Sequence, residues 1–281
     1  MPMEIFESPA AMRDCCRRLR AQGSLGFVPT MGALHAGHMS LIAASRQRDA
    51  ASVASIFVNP AQFGPQEDFS RYPRPREADL AQLEQAGIAA VFLPTSAVMY
   101  PEGYASYVEV EGLSERLCGR SRPGHFRGVA TVVLKLCQIV NPERAYFGQK
   151  DAAQVAVLRR MFHDFNCDWE MIVCPIVREP DGLALSSRNQ YLSPAQRQSA
   201  LALSRALRAM AEAHAAGRRS PAQLLACGRK ILDAEAGLRL DYLEAVDVQT
   251  LLPVADAAAG TLIAVAAWAG STRLIDNCVL A

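Results

Sequence analysis

The sequence predicts an α/β protein in which a Rossmann-like parallel sheet carries helices on both faces and is followed by a smaller C-terminal α+β domain. Apolar runs of strand length alternate with helical periodicity over the first half of the chain. These runs are nearly continuous, as expected of strands buried on both sides. After Asp181 and Gly182 the order changes to two helices followed by three strand-like runs. We therefore expect one domain over residues 1–176 and a second over 177–281.

The elements of the first domain follow in order. Ser8 and Pro9 open a helix, because Ser is favoured at the N-cap and Pro in the first turn, and Gly23 closes it. The segment 128–140 is apolar nearly all round, which predicts a buried helix. The other expected helices cover 38–49, 75–87 and 151–165, and the expected strands cover 25–29, 52–58, 88–94, 144–148 and 169–175.

The second domain begins with two helices. Ser193, Pro194 and Gln196 form a capping-box start for a long Ala-rich helix that ends near Ala216. A second helix is expected over 221–236. Three strand-like runs cover 240–247, 261–269 and 271–280.

Composition excludes several classes of protein. The 281 residues are 51% hydrophobic and carry a net charge of +1, so a sizeable core is expected and a clustered basic face for nucleic acid is not. No apolar run is long enough to span a bilayer. The eight cysteines form no C-x-x-C pair and no zinc spacing, and the N-terminus lacks the pattern of a secretory signal. We expect buried thiols, a reducing compartment and a cytoplasmic location, with no membrane partner.

The most informative stretch is PTMGALHAGHMSLI, residues 29–42. It places His35 and His38 between an expected strand and an expected helix, where ligands of open α/β sheets bind. The helix start offers free N–H groups to an anion, and the two imidazoles add donors for phosphate oxygens. Gly32 and Gly37 are expected to let the backbone approach that anion. A metal-binding histidine pair and a purely structural turn are the two alternatives.

Three further stretches carry polar groups at strand ends or at the domain boundary. In FGQKDAAQ (147–154), Lys150 can bind phosphates, and Asp151 can cap the helix or contact a metal. Gln154 lies on the same helix face as Asp151. The alternative for this stretch is a helix cap beside a solvated charge. LSSRNQYLS (185–193) offers two hydroxyls and a guanidinium, or a plain interdomain loop. FVNPAQFG (57–64) places Asn59 and Gln62 among apolar groups, which suits a small polar ligand. A simple turn at Asn59 and Pro60 is the alternative.

Together these motifs resemble a known family. The H-x-G-H loop after the first long strand, followed by a serine-rich basic loop, is similar to the nucleotidyltransferase superfamily that includes the class I aminoacyl-tRNA synthetases. PTMGALHAGH, FVNPAQFG, RPGHFRGVATVV, FGQKD and LSSRNQYL jointly resemble the pantothenate synthetases, or pantoate–β-alanine ligases, over nearly the whole chain. The resemblance implies a cytoplasmic homodimer that ligates pantoate and β-alanine through a pantoyl adenylate, with the smaller domain closing over the active site.

The resemblance also implies roles for single residues. Catalysis would involve His38, His35, Lys150, Ser186, Ser187 and Arg188. ATP would be bound by Met31, Gly32, Ala33, Leu34, His35, Ala36, Gly37 and His38, by Gly148, Gln149, Lys150 and Asp151, and by Val177, Leu185, Ser186, Ser187 and Arg188. Gln62 and Gln154 would hold pantoate, and Gln62 would also lie near β-alanine. Mg²⁺ would accompany ATP, with Asp79 and Gln82 as weak second contacts; a solvated helix face is the reading we favour for these two.

Three positions depart from the family pattern: Gln149, where many members have Glu; Ala153, where a second Gln is common; and Leu185, where many have Met. The Lys, Asp, Ser and Arg positions of the motifs are intact. The expectation is therefore an unchanged reaction with altered fine contacts. Two alternatives stay open: another H-x-G-H nucleotidyltransferase, such as one acting on phosphopantetheine, and a catalytically silent nucleotide-binding protein.

Overall fold

The computed structural model describes residues 2–65 and 67–281. A six-stranded sheet, parallel throughout, has the order β1-β4-β3-β2-β5-β6. Its strands are β1 (Glu4–Phe6), β2 (Leu25–Thr30), β3 (Ala51–Ile56), β4 (Ala90–Phe92), β5 (Arg144–Gly148) and β6 (Glu170–Cys174). The fold class predicted from the alternation of strands and helices is confirmed.

Nine helices accompany the strands in the described part of the chain. They are α1 (Pro9–Arg20), α2 (Ala36–Arg48), α3 (Arg76–Gln85), α4 (Ser96–Met99), α5 (Cys118–Ser121), α6 (His125–Val140), α7 (Ala152–Asp164), α8 (Pro194–Ala215) and α9 (Pro221–Asp233). Short 3-10 turns cover Pro60–Gln62, Gln149–Asp151 and Ser187–Tyr191. Within the described residues, no helix is both long and apolar enough to cross a membrane.

Both faces of the parallel sheet are buried, as the continuous apolar strands predicted. Successive residues point to opposite faces: Phe27 packs with α1, α6 and α7, and Val28 packs with α2 and α3. Helix α6 is the predicted all-apolar helix, and most of its residues are buried. Central strands and a central helix therefore form a single hydrophobic core on one face, with a smaller core on the other.

The C-terminal part contains a three-stranded antiparallel sheet in the order β7-β8-β9, formed by β7 (Leu238–Asp247), β8 (Thr261–Ala269) and β9 (Thr272–Val279). Strand β8 is buried on both faces. Leu262, Ala264 and Ala266 join the core of the parallel-sheet region, whereas Ile263 and Val265 pack with α8 and α9. One face of the small sheet is thus a continuation of the large core.

The sequence missed some short elements and placed several element starts two or three residues late. Strand β1 has only three residues, and its register against β4 is fixed by residues far along the chain. Helix α2 begins at Ala36 rather than His38, because His35 is its N-cap. The short helices α4 and α5 carry no clear periodicity in the sequence. The predicted capping box at Ser193 and Gln196 is confirmed.

The strand order creates a crevice at one position in the sheet. The chain runs outward from β2 through β3 to β4 on one side, and from β5 to β6 on the other, while β2 and β5 pair directly. The loops that follow β2 and β5 therefore leave the carboxyl edge in opposite directions. Open α/β sheets bind ligands at such a switch point.

Candidate active site

The loop after β2 folds around its two histidines. His35 is the N-cap of α2, and its Nδ1 accepts the Gly37 N–H at 3.1 Å. The Nδ1 of His38 accepts the His35 N–H at 3.3 Å, so the two residues form a reciprocal capping box. Their ring centroids are 4.1 Å apart. The backbone thus fixes both rings at the end of the strand.

These contacts also determine where the imidazole protons lie. Because each Nδ1 accepts a backbone N–H, the ring proton of each neutral histidine lies on Nε2. Burial, the neighbouring His35 ring and the Lys150 charge lower the pKa of His38 to about 3. Burial and the Lys150 charge also lower the pKa of His35. Both rings are therefore neutral hydrogen-bond donors at physiological pH.

Two glycines of this loop make room for neighbouring protein groups. Gly32 has φ of +81°, and a Cβ there would lie 2.9 Å from an Asp79 carboxylate oxygen. A Cβ on Gly37 would lie 2.9 Å from the His35 ring. Close packing against Asp79 and His35 therefore requires both glycines, and the approach of an anion to their backbone stays a prediction.

Neither the solvated helix face favoured for Asp79 nor its alternative, a metal contact, matches the position of this side chain. Its two carboxylate oxygens accept the N–H groups of Ala33 and Leu34, each at 2.8 Å. The residue is 1% exposed, so this part of α3 is not a solvated face, and Gln82 one turn later is half-buried. Among the described residues, no cluster of three or more His, Cys, Asp or Glu side chains could hold a metal ion. Asp79 anchors the histidine loop instead.

The second stretch, after β5, is held by the C-terminal sheet. Asn277 on β9 donates its amide to the carbonyl oxygens of Gln149 and Lys150, at 3.0 Å each, and accepts the Gln149 amide at 3.0 Å. Asn277 is 3% exposed. Asp151 stands at the N-cap of α7 but makes no side-chain cap hydrogen bond, so its predicted capping role is wrong. The backbone that presents Lys150 is therefore set by a residue of the last strand.

The third stretch contains an ion pair that the sequence did not reveal. Arg188 donates its Nε and Nη2 to the two oxygens of Asp68, at 2.9 and 2.8 Å. The Oγ of Ser186 accepts the Arg188 N–H, and Ser187 Oγ lies 3.5 Å from the Tyr72 hydroxyl. The guanidinium predicted to meet phosphates is thus paired with a carboxylate in this structure.

The fourth stretch fixes the Gln62 side chain. Its Oε1 accepts the Asn59 amide at 3.1 Å, and its Nε2 lies 3.0 Å from the Met31 sulfur. Asn59 is 1% exposed and also donates to the Gly128 carbonyl. Asn59, in the predicted turn, therefore holds the side chain of Gln62, the residue predicted to bind a ligand.

Sequence reasoning did not single out Arg122 and His125, which lie beside Gln62. His125 donates its Nδ1–H to the Gln62 carbonyl at 2.8 Å and accepts Arg122 Nη1 at its Nε2, also at 2.8 Å. Burial and the Arg122 charge lower the pKa of His125 to about 4. Arg122 also pairs with both oxygens of Glu67 at 2.6 Å. Their motif, RPGHFRG, was visible in the sequence but carried no spacing that assigns a role.

One cavity collects most of the predicted residues at the switch point. It has a volume of about 240 Å³ and adjoins a larger cleft of about 450 Å³, which is lined by helix α7, the loops before it and the small sheet. The predicted residues lining the smaller cavity are Met31, His35, Gly37, His38, Gln62, Gly148, Lys150, Asp151, Gln154, Val177, Leu185, Ser186, Ser187 and Arg188. The predicted residues outside both linings are Gly32, Ala33, Leu34, Ala36, Gln149, Asp79 and Gln82.

The pantoate-beta-alanine ligase family model matches residues 4–279, almost the entire chain. The chain belongs to the pantoate–β-alanine ligase family. A pantothenate synthetase from Acidobacterium capsulatum is 61% identical over 257 residues, 92% of this chain and 86% of that protein. Another from Koribacter versatilis is 55% identical over 99% of this chain and 96% of its own length. The family resemblance drawn from the motifs is confirmed, and the phosphopantetheine alternative is not.

Solved structures of the family have the same fold. Pantothenate synthetase from Thermus thermophilus superimposes with a TM-score of 0.94 at 47% identity, covering 99% of both chains. The pantoate-beta-alanine ligase from Francisella tularensis, complexed with beta-gamma ATP and beta-alanine, has a TM-score of 0.81 at 33% identity. It covers 99% of this chain and 97% of its own.

Proposed function

We propose that this protein ligates pantoate and β-alanine at the expense of ATP, through a pantoyl-adenylate intermediate. One observation carries the proposal for the site: the cavity at the β2–β5 switch point is lined both by cationic and N–H donors and by two amides. The donors, His35, His38 and Lys150, suit phosphate oxygens. The amides, Gln62 and Gln154, suit the oxygens of a small hydroxy acid.

In the first step, a pantoate carboxylate oxygen attacks the α-phosphorus of ATP. The bond between that phosphorus and the bridging oxygen breaks, and pyrophosphate leaves. Negative charge grows on the phosphate oxygens, and the Nε2–H groups of His35 and His38 together with Lys150 would stabilise it. Because the rings are neutral, they would act as fixed donors rather than as acids that release a proton.

In the second step, the neutral amine of β-alanine attacks the acyl carbon of the adenylate. The acyl–oxygen bond breaks, AMP leaves with that oxygen, and the amine loses a proton as the amide forms. Since neither step needs an enzyme nucleophile, the residues contribute orientation and charge stabilisation. Gln62 and Gln154 would hold the pantoyl group, and Gln62 would lie near the incoming amine.

The remaining predicted roles belong to the nucleotide. Lys150, Ser186, Ser187 and Arg188 would meet the phosphates, and Val177 and Leu185 would line the apolar side of the pocket. Mg²⁺ would be carried by the ATP phosphates with several waters, since the Asp79 oxygens are already occupied by backbone donors. Mg²⁺ supplies charge neutralisation for the phosphates when bound.

Larger-scale features of the proposal follow the family. Residues 1–176 would form the nucleotide- and pantoate-binding domain, and residues 177–281 a smaller domain that closes over the active site. The larger cleft supports this division, because residues from both proposed domains line it. A homodimer is the assembly we propose.

Product analysis tests the proposed reaction. Purified protein incubated with ATP, Mg²⁺, pantoate and β-alanine should form pantothenate, AMP and pyrophosphate in equal amounts. Omitting either acid should stop pantothenate formation. ADP and phosphate as nucleotide products, or no turnover with any combination, would contradict the proposal.

A further inference from the structure

We infer that Tyr100 is a positioning residue, which orients the Gln62 amide from outside the substrate cavity. The inference rests on the proposed role of Gln62 in holding pantoate. Tyr100 follows α4 and is half-buried, and it does not line either cavity. It therefore acts through another residue rather than by touching substrate.

A chain of hydrogen bonds connects Tyr100 to Gln62. The Tyr100 hydroxyl donates to Asn59 Oδ1 at 2.7 Å, and Asn59 Nδ2 donates to Gln62 Oε1 at 3.1 Å. The first of these bonds joins residues 41 positions apart in sequence. At 2.7 Å it lies at the usual length of a good O–H···O hydrogen bond.

Each amide in the chain has a defined orientation. Asn59 Oδ1 accepts from Tyr100 and from the Ala61 N–H, while its Nδ2 donates to Gln62 and to the Gly128 carbonyl. Because Gln62 Oε1 is held by an N–H donor, the Gln62 amide nitrogen is directed to the Met31 side of the cavity. It therefore offers N–H to a substrate oxygen. The reverse orientation would set an amide oxygen against a carboxylate oxygen, and two acceptors cannot form a hydrogen bond.

The surroundings of Tyr100 keep its hydroxyl available as a donor. Burial, and then the neighbouring Tyr104 and Tyr107, raise the pKa of Tyr100 above its ordinary value, so the hydroxyl stays protonated. Tyr104 packs edge-on against the Tyr100 ring, with centroids 5.1 Å apart. Lys135 Nζ lies 5.3 Å from the Tyr100 ring centroid and donates to the Met99 carbonyl. The ring is thus fixed by packing that does not involve the hydroxyl.

Tyr100→Phe tests the inference, because it removes the hydroxyl and leaves the ring. A typical intramolecular hydrogen bond stabilises by about 0.5–1.5 kcal/mol, so the KM for pantoate should rise by about twofold to twelvefold. The KM for ATP and the melting temperature should stay close to wild type. Tyr104→Phe is the matched control, since it removes a hydroxyl from the same aromatic cluster; both KM values should be unchanged.

Two results would overturn the inference. An unchanged KM for pantoate in Tyr100→Phe would mean that the hydroxyl does not orient Gln62. A parallel rise of both KM values with a lower melting temperature would make Tyr100 a stabilising residue only. Wild-type protein that shows no dependence on pantoate would instead refute the proposed function, so the two failures are distinguishable.

Discussion

At the residue scale, the site depends on histidines that are neutral and have a fixed tautomer. His38 receives the His35 N–H on Nδ1 and keeps its proton on Nε2. Its low pKa follows from burial next to His35 and Lys150. A neutral donor in a dry, preorganised site stabilises charge that grows during a reaction. This favours donation to phosphates over proton release as the role of His38.

Substitution of His38 tests that role. His38→Ala should slow adenylate formation by about 100- to 1000-fold, the usual cost of losing one preorganised donor. His38→Asn is the informative partner variant, because its amide oxygen can still accept the His35 N–H while the distal donor is lost. We expect it to lose adenylation with a near-native melting temperature. Near-native adenylation in His38→Asn would reduce His38 to a structural role.

Stability should depend on pH through the same rings. The pKa values of His38 and His125 are lowered to about 3 and about 4, whereas an unfolded His has a pKa of about 6.5. Below about pH 6.5 the unfolded chain binds protons that the folded chain does not. The stabilisation contributed by the two neutral rings should therefore be complete above that pH. The free energy of unfolding should decrease as the pH is lowered towards 4.

Denaturant unfolding at pH 7.5, 6 and 5 measures this effect. His38→Asn and His125→Asn should each flatten the loss of stability on acidification. His163→Gln is the control, since the His163 side chain is 79% exposed. Equal slopes in all four proteins would show that neither buried ring carries the pH dependence.

At the element scale, one loop supplies partners to two arginines of the cleft. The adjacent acids Glu67 and Asp68 pair with Arg122 and Arg188, each through two hydrogen bonds. Burial would raise the pKa of Glu67, but hydrogen bonds and charge from Arg122 hold it below its ordinary value. Both carboxylates are thus positioned to compete with anionic ligands for the guanidinium groups.

Asp68→Asn should release Arg188 from this competition. If Arg188 meets ATP phosphates, the KM for ATP should fall by about twofold to fivefold, the range of a partly exposed ion pair. Asp233→Asn, which removes an exposed pair within α9, is the control and should change nothing. A higher KM for ATP would mean that Asp68 orients Arg188 for the nucleotide.

Local sequence patterns located elements but not the contacts between them. Strand ends, capping residues and helical periodicity are properties of a few neighbouring residues, so the histidine loop and the buried helix α6 could be predicted. The hydrogen bond between Asp79 and Ala33 joins residues 46 positions apart. Those between Arg188 and Asp68 and between Gln149 and Asn277 span 120 and 128 positions. No local period encodes them. Asp79 accordingly resembled a surface or metal-binding acid until its buried partners were known.

At the scale of the whole molecule, the last strand helps to build the nucleotide site. Asn277 on β9 donates to the carbonyl oxygens of Gln149 and Lys150 and accepts the Gln149 side-chain amide, so three hydrogen bonds hold this segment. Gln149 donates its amide to Asn277, which an ionised Glu at this position could not do. The amide of Gln149 is therefore matched to its partner on the last strand.

Asn277→Ala should lower kcat by roughly tenfold, since two donors to the Lys150 loop are lost and each bond stabilises by about 0.5–1.5 kcal/mol. Val279→Thr, at an exposed position of the same strand, is the control. Steady-state kinetics gives the loss of kcat, and melting curves give the loss of stability, for each variant. Loss of activity only in proportion to loss of folded protein would argue against a role in positioning Lys150.

The measurement that tests the central claim most directly is isotope exchange between pyrophosphate and ATP. Formation of pantoyl adenylate is reversible, so labelled pyrophosphate should enter ATP when pantoate and Mg²⁺ are present and β-alanine is absent. Exchange should stop when pantoate is omitted and should be abolished in Lys150→Ala with the fold intact. Exchange that needs no pantoate, or that appears only with β-alanine, would contradict the account.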